Sequence, residues 1–483
     1  MTKALLGPAL ALVFAAALTS GPSAWAADPA TIRIVSKDFT NSNPDDVKLL
    51  AAIEAGMAAQ GHPVKLELVE LPPGGYADKL SLMLLSGDIP DLIYFQGGDQ
   101  KIVEQGLLED WRPWLEKAPH LKQALWAHNK PRLENYPYLI YPFPVRAKVG
   151  VIRQDWLEKT GLPAPQTVDD WEALFRKIVD SDLDGDGKKD TWGITVATIP
   201  PAGATDELDE IFNQAFGVTA TWIKDPSGQW ISARVSTQER DKIAFYHKLF
   251  AEGLLDPDFI TTKWDTREDK FYSGRVGVVF GVVGVNIDIY QGKMRQVHPG
   301  VNLVPLDPPK GPAGQGLRAV DVSRESRGFA MSALSEHKDD VVALLDFMAS
   351  PEGQQIDRMG FEGEEWVKDG GAVKTTDKMS TWYPRFLIAQ PEAWTPPAPL
   401  LSAQAEKSIA IAQKFYSPDD SFVFPSDYTA QLDALENLYR SYVWKFVSGE
   451  LPMEKWDDYV ADWNANGGTA VTEYARTKLN GTN

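Results

Sequence analysis

The spacing of apolar and polar positions predicts strands and helices in alternation. Thr31–Ser36 (TIRIVS) alternates like a buried strand, and a helix over Asp45–Gln60, ended by Gly61, follows it. Val64–Leu71 predicts a second strand, and Tyr76–Ser86 a short helix stopped by Gly87. Pro90–Phe95 predicts a third strand before a Gly97-Gly98-Asp99 turn. This βαβαβ order predicts a parallel sheet with helices on both faces. Ligands bind such sheets beyond the carboxyl ends of the strands, which points to Tyr76, Tyr94, Gln96 and Asp99.

Leu139–Pro144 and Val149–Arg153 read as a strand crossing between two lobes, its first part stiffened by prolines. Helices near Asp155–Thr160 and Thr167–Ser181 come next, with Thr167 as N-cap and Asp169 and Asp170 at the positive helix end. A strand over Gly193–Ala197 precedes helices over Asp206–Phe216 and Thr237–Glu252. Strands over Val276–Val285, Val301–Leu306 and Phe329–Ala333 lead to a helix over Lys338–Ala349. From about Ser402 onward the chain is mostly helical. Gly311–Gly316 and Trp394–Leu400 are Gly- or Pro-rich loops, and no internal repeat is visible.

The first 26 residues set the compartment: Lys3, the apolar run Leu10–Leu18 and the small-x-small site Ala24-Trp25-Ala26 have the layout of a cleaved secretory signal. The run is too short to span a bilayer, and no Cys follows it to carry a lipid. The expectation is an exported protein, periplasmic or secreted, and not a lipoprotein. The absence of Cys also excludes thiol nucleophiles, Cys-ligated zinc and iron–sulfur clusters. A net charge of −19 argues against nucleic acid and anionic membranes as partners. The 16 Trp among 483 residues stand out. Exported proteins use such rings to stack on sugars, although core filling is the more frequent use of any single Trp.

Asp182, Asp184, Asp186 and Asp190 occupy positions 1, 3, 5 and 9 of a loop with Gly187 at 6, the ligand order of an EF-hand-type calcium loop. Lys188, at position 7, would offer its carbonyl. Gly193 stands where an EF-hand has its bidentate Glu, so the loop is incomplete. Four carboxylates this close repel one another unless a cation sits among them; the alternative is a solvated acidic turn.

Enzyme signatures are poor. G-x-S-x-G, Walker A, HExxH and G-x-G-x-x-G motifs are absent, and the six His form no i, i+4 pair. Ser335-x-x-Lys338 matches a short acyl-enzyme pattern whose companion motifs are missing. Carboxylates are too numerous for inspection to isolate or dismiss a glycosidase pair.

Leu85–Leu92 (LSGDIPDL) resembles the SGDxPD signature of extracellular solute-binding proteins of ABC importers, the maltose-binding-like superfamily. Arg153–Pro163 with Pro165–Trp171 is similar to that family's DWLxKLGLxxPxTxDE block, and Phe271–Gly277 (FYSGRVG) to its FxxGKxGM strand. Phe329–Gln354 resembles its strand and helix ending in SPEGQ, and Ser448–Glu450 with Trp456–Trp463 its last helices. In order, these blocks cover most of the chain. The subfamily with a D-x-D/N-x-D-G-x-x-D loop, which includes alginate- and other oligosaccharide-binding proteins, fits best.

The resemblance implies an α/β, two-lobe periplasmic-binding-protein-like fold of type II with a helical C-terminal extension. Residues 27–144 and about 299–350 would form the N-terminal lobe, and 145–298 and about 351–483 the C-terminal lobe. One structural calcium at Asp182, Asp184, Asp186, Lys188 and Asp190 is implied, with Thr191 or water replacing the Glu that some relatives place there. An oligosaccharide, neutral or uronate-containing, would close the lobes and be delivered to an inner-membrane ABC permease by a monomeric receptor.

Expected ligand contacts are aromatics in loops. They are Tyr76 and Tyr94, then Trp222 and Trp264, then Trp366, Trp382, Tyr383 and Trp394. Many relatives carry an aromatic after the Gly277 strand; here Trp264 is expected to replace it. Gln96, Asp99 and Asp288 suit sugar hydroxyls, while Arg146, Lys148, Arg327 and Arg385 suit uronate carboxylates. The competing readings are a secreted calcium-containing polysaccharide hydrolase or lyase and a carbohydrate-binding protein outside transport.

Overall fold

A computed structural model describes residues 29–481 apart from 38, 73–74, 144–146, 199–204, 319–326 and 418–421. The signal segment 1–26 and Arg146 therefore lie outside the described residues. Five strands come first: β1 (Ala30–Val35), β2 (Val64–Leu68), β3 (Leu92–Gln96), β4 (Lys148–Arg153) and β5 (Trp192–Ile194). The next four are β6 (Trp222–Lys224), β7 (Trp230–Ser232), β8 (Val276–Val282) and β9 (Leu303–Leu306). The last three are β10 (Arg327–Met331), β11 (Trp366–Asp369) and β12 (Ala372–Thr375).

The first lobe is built on a sheet of order β10-β3-β1-β2. β1 runs parallel to β2 and β3, with Ile32 opposite Leu66 and Ile34 opposite Leu92. β3 is central and covered on both faces, so its residues alternate between two cores. Leu92 and Tyr94 join Leu49, Ile53 and Val341, whereas Ile93 and Phe95 join Leu80, Leu84 and Ile102. The helices Pro44–Ala59 and Lys338–Ala349 supply the first layer and Tyr76–Leu85 the second. β10 closes the far edge antiparallel to β3. Gly328 in β10 has a φ of 144°, and a Cβ there would meet the Ile140 carbonyl oxygen at 2.6 Å. Only glycine lets the crossing chain bridge to Phe329 at this point.

The second sheet has the order β5-β8-β4-β9; β4 is antiparallel to both its neighbours and β5 is parallel to β8. The helix Val168–Asp180 begins with a capping box. Thr167 Oγ1 accepts the Asp170 N–H at 3.1 Å, and the Asp170 carboxylate accepts the Thr167 N–H at 2.9 Å. Its apolar stripe, Trp171, Leu174, Phe175 and Ile178, enters the second core. The helices Ala403–Phe415, Thr429–Ser448, Trp456–Trp463 and Thr469–Asn480 extend that core. None of the helices is long and apolar enough to cross a membrane among the described residues.

The lobe boundaries differ from those expected near 299 and 351. β9 completes the open edge of β4, so it belongs with the second sheet. After Pro351–Met359 the chain stays with the first lobe, because Phe386 and Ile388 pack into its core. It returns to the second with Ala403–Phe415, which carries Ala405, Ile411 and Ala412 into the other core.

Candidate functional site

A cavity of about 430 Å³ opens between the two sheets. From the first lobe, Tyr94 and Gln96 reach it at the carboxyl end of β3, and Arg327 stands opposite Gln96 in the sheet register. Tyr141 and Phe143, on the crossing segment, meet edge to face with ring centroids 4.4 Å apart. From the second lobe come Trp264 and the end of β8 with its turn, Val282 to Asn286. Arg358 and the Trp382–Pro384 segment close another wall.

Trp264 opens the helix Trp264–Tyr272, and one turn later Arg267 lays its guanidinium 4.0 Å from the Trp264 ring centroid. Arg267 is buried. Its Nη1 donates to Glu207 at 2.7 Å and to the Phe280 carbonyl at 2.9 Å, and its Nη2 to the Tyr290 hydroxyl at 3.0 Å. Burial works against its charge, but Glu207 holds its pKa above the ordinary arginine value.

The segment carrying Trp382 and Tyr383 is held by Asp357. The Asp357 carbonyl accepts the Trp382 indole N–H at 2.7 Å, and its carboxylate accepts the N–H groups of Arg385 at 2.7 Å and Phe386 at 3.1 Å. Burial still pushes the Asp357 carboxyl up to about 6. The Arg385 side chain is taken by Asp46 at 2.6 Å. Leu387 follows at φ 56°, the one positive-φ residue other than glycine among the described residues.

Tyr94, Gln96, Trp264, Arg327, Trp382 and Tyr383 thus line one space. The other expected contacts lie elsewhere. Tyr76 is turned into the lobe, its hydroxyl donating to the Tyr94 carbonyl at 2.5 Å. Asp99 is buried and accepts the Tyr136 hydroxyl at 2.6 Å. Trp222 is in β6, not in a loop, and is buried against Phe422 and Phe424. Trp366 is buried at the start of a hairpin, with its indole N–H on the Gly360 carbonyl at 3.2 Å. Trp394 is not in the lining; the Arg358 guanidinium stands 5.3 Å from its ring centroid. Lys148 is taken by Glu207 and Glu210 at 3.2 and 2.9 Å, and Asp288 accepts the Ser402 N–H at 3.0 Å.

Tyr141, Phe143 and Arg358 are lining residues that the sequence pattern missed. The first two sit within the crossing Leu139–Pro144, where a change of lobe was itself the available signal. Arg358 lies in a short helix and looks in sequence like any solvated helical arginine.

The acidic loop brings carboxylate oxygens of Asp182, Asp184 and Asp186 within 4.8 Å of one another. Burial and the two neighbouring carboxylates raise the Asp184 pKa. Asp182 accepts the Gly185 and Gly187 N–H groups at 2.8 and 3.0 Å, which folds the loop on itself. Asp190 is outside this trio, and the Thr191 hydroxyl donates to the Gly274 carbonyl at 3.2 Å. The Lys188 ammonium pairs outward with Asp186 at 2.8 Å. Three converging carboxylates suit a hard dication. None of the loop residues lines the cavity.

Two α/β lobes sharing one aromatic, cation-bearing cleft define a ligand-binding protein of the two-lobe class. The family model for bacterial extracellular solute-binding proteins matches residues 41–355, and the chain belongs to that family. It is 25% identical to lipoprotein LipO of Bacillus subtilis (strain 168), over 91% of this chain and 90% of LipO. It is 22% identical to the polygalacturonan/rhamnogalacturonan-binding protein YtcQ of the same organism, over 85% of this chain and 84% of YtcQ. Among solved structures, the Streptococcus pneumoniae ABC-transporter substrate-binding protein FusA, as an EF-hand mutant in complex with fructo-nystose, superposes with a TM-score of 0.65 at 16% identity. The match covers 94% of this chain and 100% of the FusA chain, and the likeness is one of fold.

Proposed function

We propose that this protein captures an oligosaccharide in the cavity between its lobes and delivers it to the inner-membrane permease of an ABC importer. The observation that carries the reading is the cavity lining. Trp264 from one lobe and the exposed Tyr383 from the other offer aromatic surface to pyranose C–H groups, backed by the buried Tyr94 and Trp382, while Gln96 and Asn286 offer amides to hydroxyls. The names of YtcQ and FusA support a sugar polymer as the ligand class. Sugar binding draws the lobes together about the crossing near Leu139–Val149, and the closed form docks on the permease.

The protein binds without turnover. No Asp or Glu is among the described residues that line the cavity, whereas a glycoside hydrolase needs two carboxylates across the bond. Asp182, Asp184 and Asp186, with the Lys188 carbonyl, hold one calcium that fixes the loop after Val168–Asp180. The protein is exported as a monomer by a signal within residues 1–26. Its 483 residues contain no cysteine to acylate.

Calorimetric titration against an oligosaccharide panel, paired with small-angle scattering, tests the reading. At least one sugar binds and reduces the radius of gyration. Release of reducing ends from any polysaccharide, or binding without compaction, overturns it.

A further inference from the structure

The charges around the cavity run against those of the chain. The protein has 67 acidic and 48 basic residues. The described lining nevertheless contains Lys37, Arg327 and Arg358 and no carboxylate. A cavity that selects cations from an acidic chain has a positive interior, and low-dielectric walls concentrate that field.

Arg358, half-buried at the cavity wall, differs from four other inward-lying arginines, each of which has a carboxylate partner. Arg267 is paired with Glu207 at 2.7 Å, Arg385 with Asp46 at 2.6 Å, Arg153 with Asp155 at 2.8 Å and Arg234 with Asp209 at 3.3 Å. Arg358 has no ion pair or hydrogen bond among the described residues; its one neighbour of note is the Trp394 ring, 5.3 Å from the guanidinium. Asp357, next to it in the chain, is turned the other way and engaged by the Arg385 and Phe386 N–H groups. Burial draws the Arg358 pKa below its ordinary value, with Asp357 and Glu406 opposing only through space. A guanidinium at a cavity wall with no carboxylate partner is open to an anionic group that enters the cavity. The planar fork suits a carboxylate, which it holds by two parallel hydrogen bonds.

We propose that the cargo is an anionic oligosaccharide carrying uronate carboxylates, and that Arg358 is the residue that reads one of them. Trp394 behind the guanidinium sets its plane, and the aromatic walls stack on the sugar rings of the same chain. The inference rests on the cavity being the sugar site and specifies its chemistry.

The test uses the full mature chain and calorimetric titration. The probes are oligomers from partial hydrolysis of polygalacturonate and of alginate, the same oligomers with their carboxyls reduced to alcohols, and a neutral set of malto-, fructo- and xylo-oligosaccharides. The expected result is binding of at least one uronate oligomer, weakened tenfold or more by carboxyl reduction. Arg358→Met weakens uronate binding by a similar factor, and Arg358→Lys, which keeps the charge without the fork, gives an intermediate loss. The melting temperature of each variant reports folding; if Arg358→Met does not fold, the reduced oligomers and Arg358→Lys still decide. Binding of neutral oligomers alone, with wild type and Arg358→Lys equal, overturns the inference and leaves oligosaccharide capture standing. Binding of none of the three sets overturns both.

Discussion

The Arg267 guanidinium lies 4.0 Å from the centroid of the Trp264 ring, and it is itself fixed by Glu207, the Phe280 carbonyl and the Tyr290 hydroxyl. The ring at the cavity wall is therefore mounted on a buried ionic anchor, which separates two roles. Trp264→Ala removes the stacking face but leaves the anchor, so sugar affinity falls about tenfold or more and the melting temperature changes little. Arg267→Met leaves Glu207 with Lys148 as its one cationic partner, at 3.2 Å, beside the Ala197 N–H at 2.7 Å, and costs on the order of 3–5 kcal/mol of stability. Titration and thermal denaturation of both variants check this; equal destabilisation by the two would show that the ring belongs to the core.

Asp357 ties the Trp382–Phe386 segment to the helix Pro351–Met359, and burial raises its pKa from the usual 3.8 to about 6. A carboxyl raised in this way favours the folded state while it is protonated. That contribution is complete below 3.8 and is lost as the pH rises through about 6. Asp357→Asn cannot ionise. Its stability relative to wild type should therefore improve between pH 4 and pH 7, by on the order of 1–3 kcal/mol. Denaturant melts at the two pH values measure this, and a difference independent of pH would contradict it.

What could be read in the sequence was local. The β1–β3 alternation with its helices, the Thr167 cap and the C-terminal helices are each encoded within a few turns of chain, and they appear where the pattern puts them. The edges were not local. β10 joins β3 and β9 joins β4 across long separations, so the lobe boundaries slipped. The tryptophans show the same limit. Trp222 stands in a largely polar stretch, between Thr221 and Ile223, but Phe422 and Phe424 arrive from about 200 residues on to bury it. Trp264, in an equally polar stretch, remains at the cleft. No local signal separates the two, because burial is decided by distant partners.

The acidic loop is a test of metal linkage away from the sugar. Leu183 is buried in the second core and its carbonyl accepts the Lys159 ammonium at 2.8 Å, so a cation held by Asp182, Asp184 and Asp186 would stabilise that lobe. Calcium at a hundredfold excess over its Kd adds about 2.7 kcal/mol. EDTA should lower the melting temperature by several degrees with oligosaccharide affinity unchanged, and Asp184→Asn should remove the difference between calcium and EDTA. Loss of sugar binding on chelation, with the fold intact, would place the loop in the site.

Lys242 is buried among Asp209, Glu239 and Asn213, with its ammonium 2.7, 2.9 and 2.7 Å from them. Arg234 stands 3.3 Å from Asp209 and 3.8 Å from Glu239, and the Tyr439 hydroxyl donates to Glu239. Lys242 and Arg234 together therefore neutralise Asp209 and Glu239 at the junction of three helices, Asp206–Phe216, Thr237–Ala251 and Thr429–Ser448. Burial alone would raise the Asp209 pKa, but Lys242 and Arg234 hold it low. Lys242→Met keeps the volume and removes the charge. Two buried carboxylates then share Arg234, which should cost on the order of 3–5 kcal/mol. Lys248→Met, which breaks an exposed pair with Glu172 at 2.7 Å, should cost under about 1 kcal/mol. Hydrogen exchange separates a local from a global effect. In Lys242→Met the amides of Thr429–Ser448 should lose protection ahead of those in β1–β3, because the Glu239 tie through Tyr439 fails first. Uniform loss of protection across both lobes would mean that the junction does not hold the C-terminal helices.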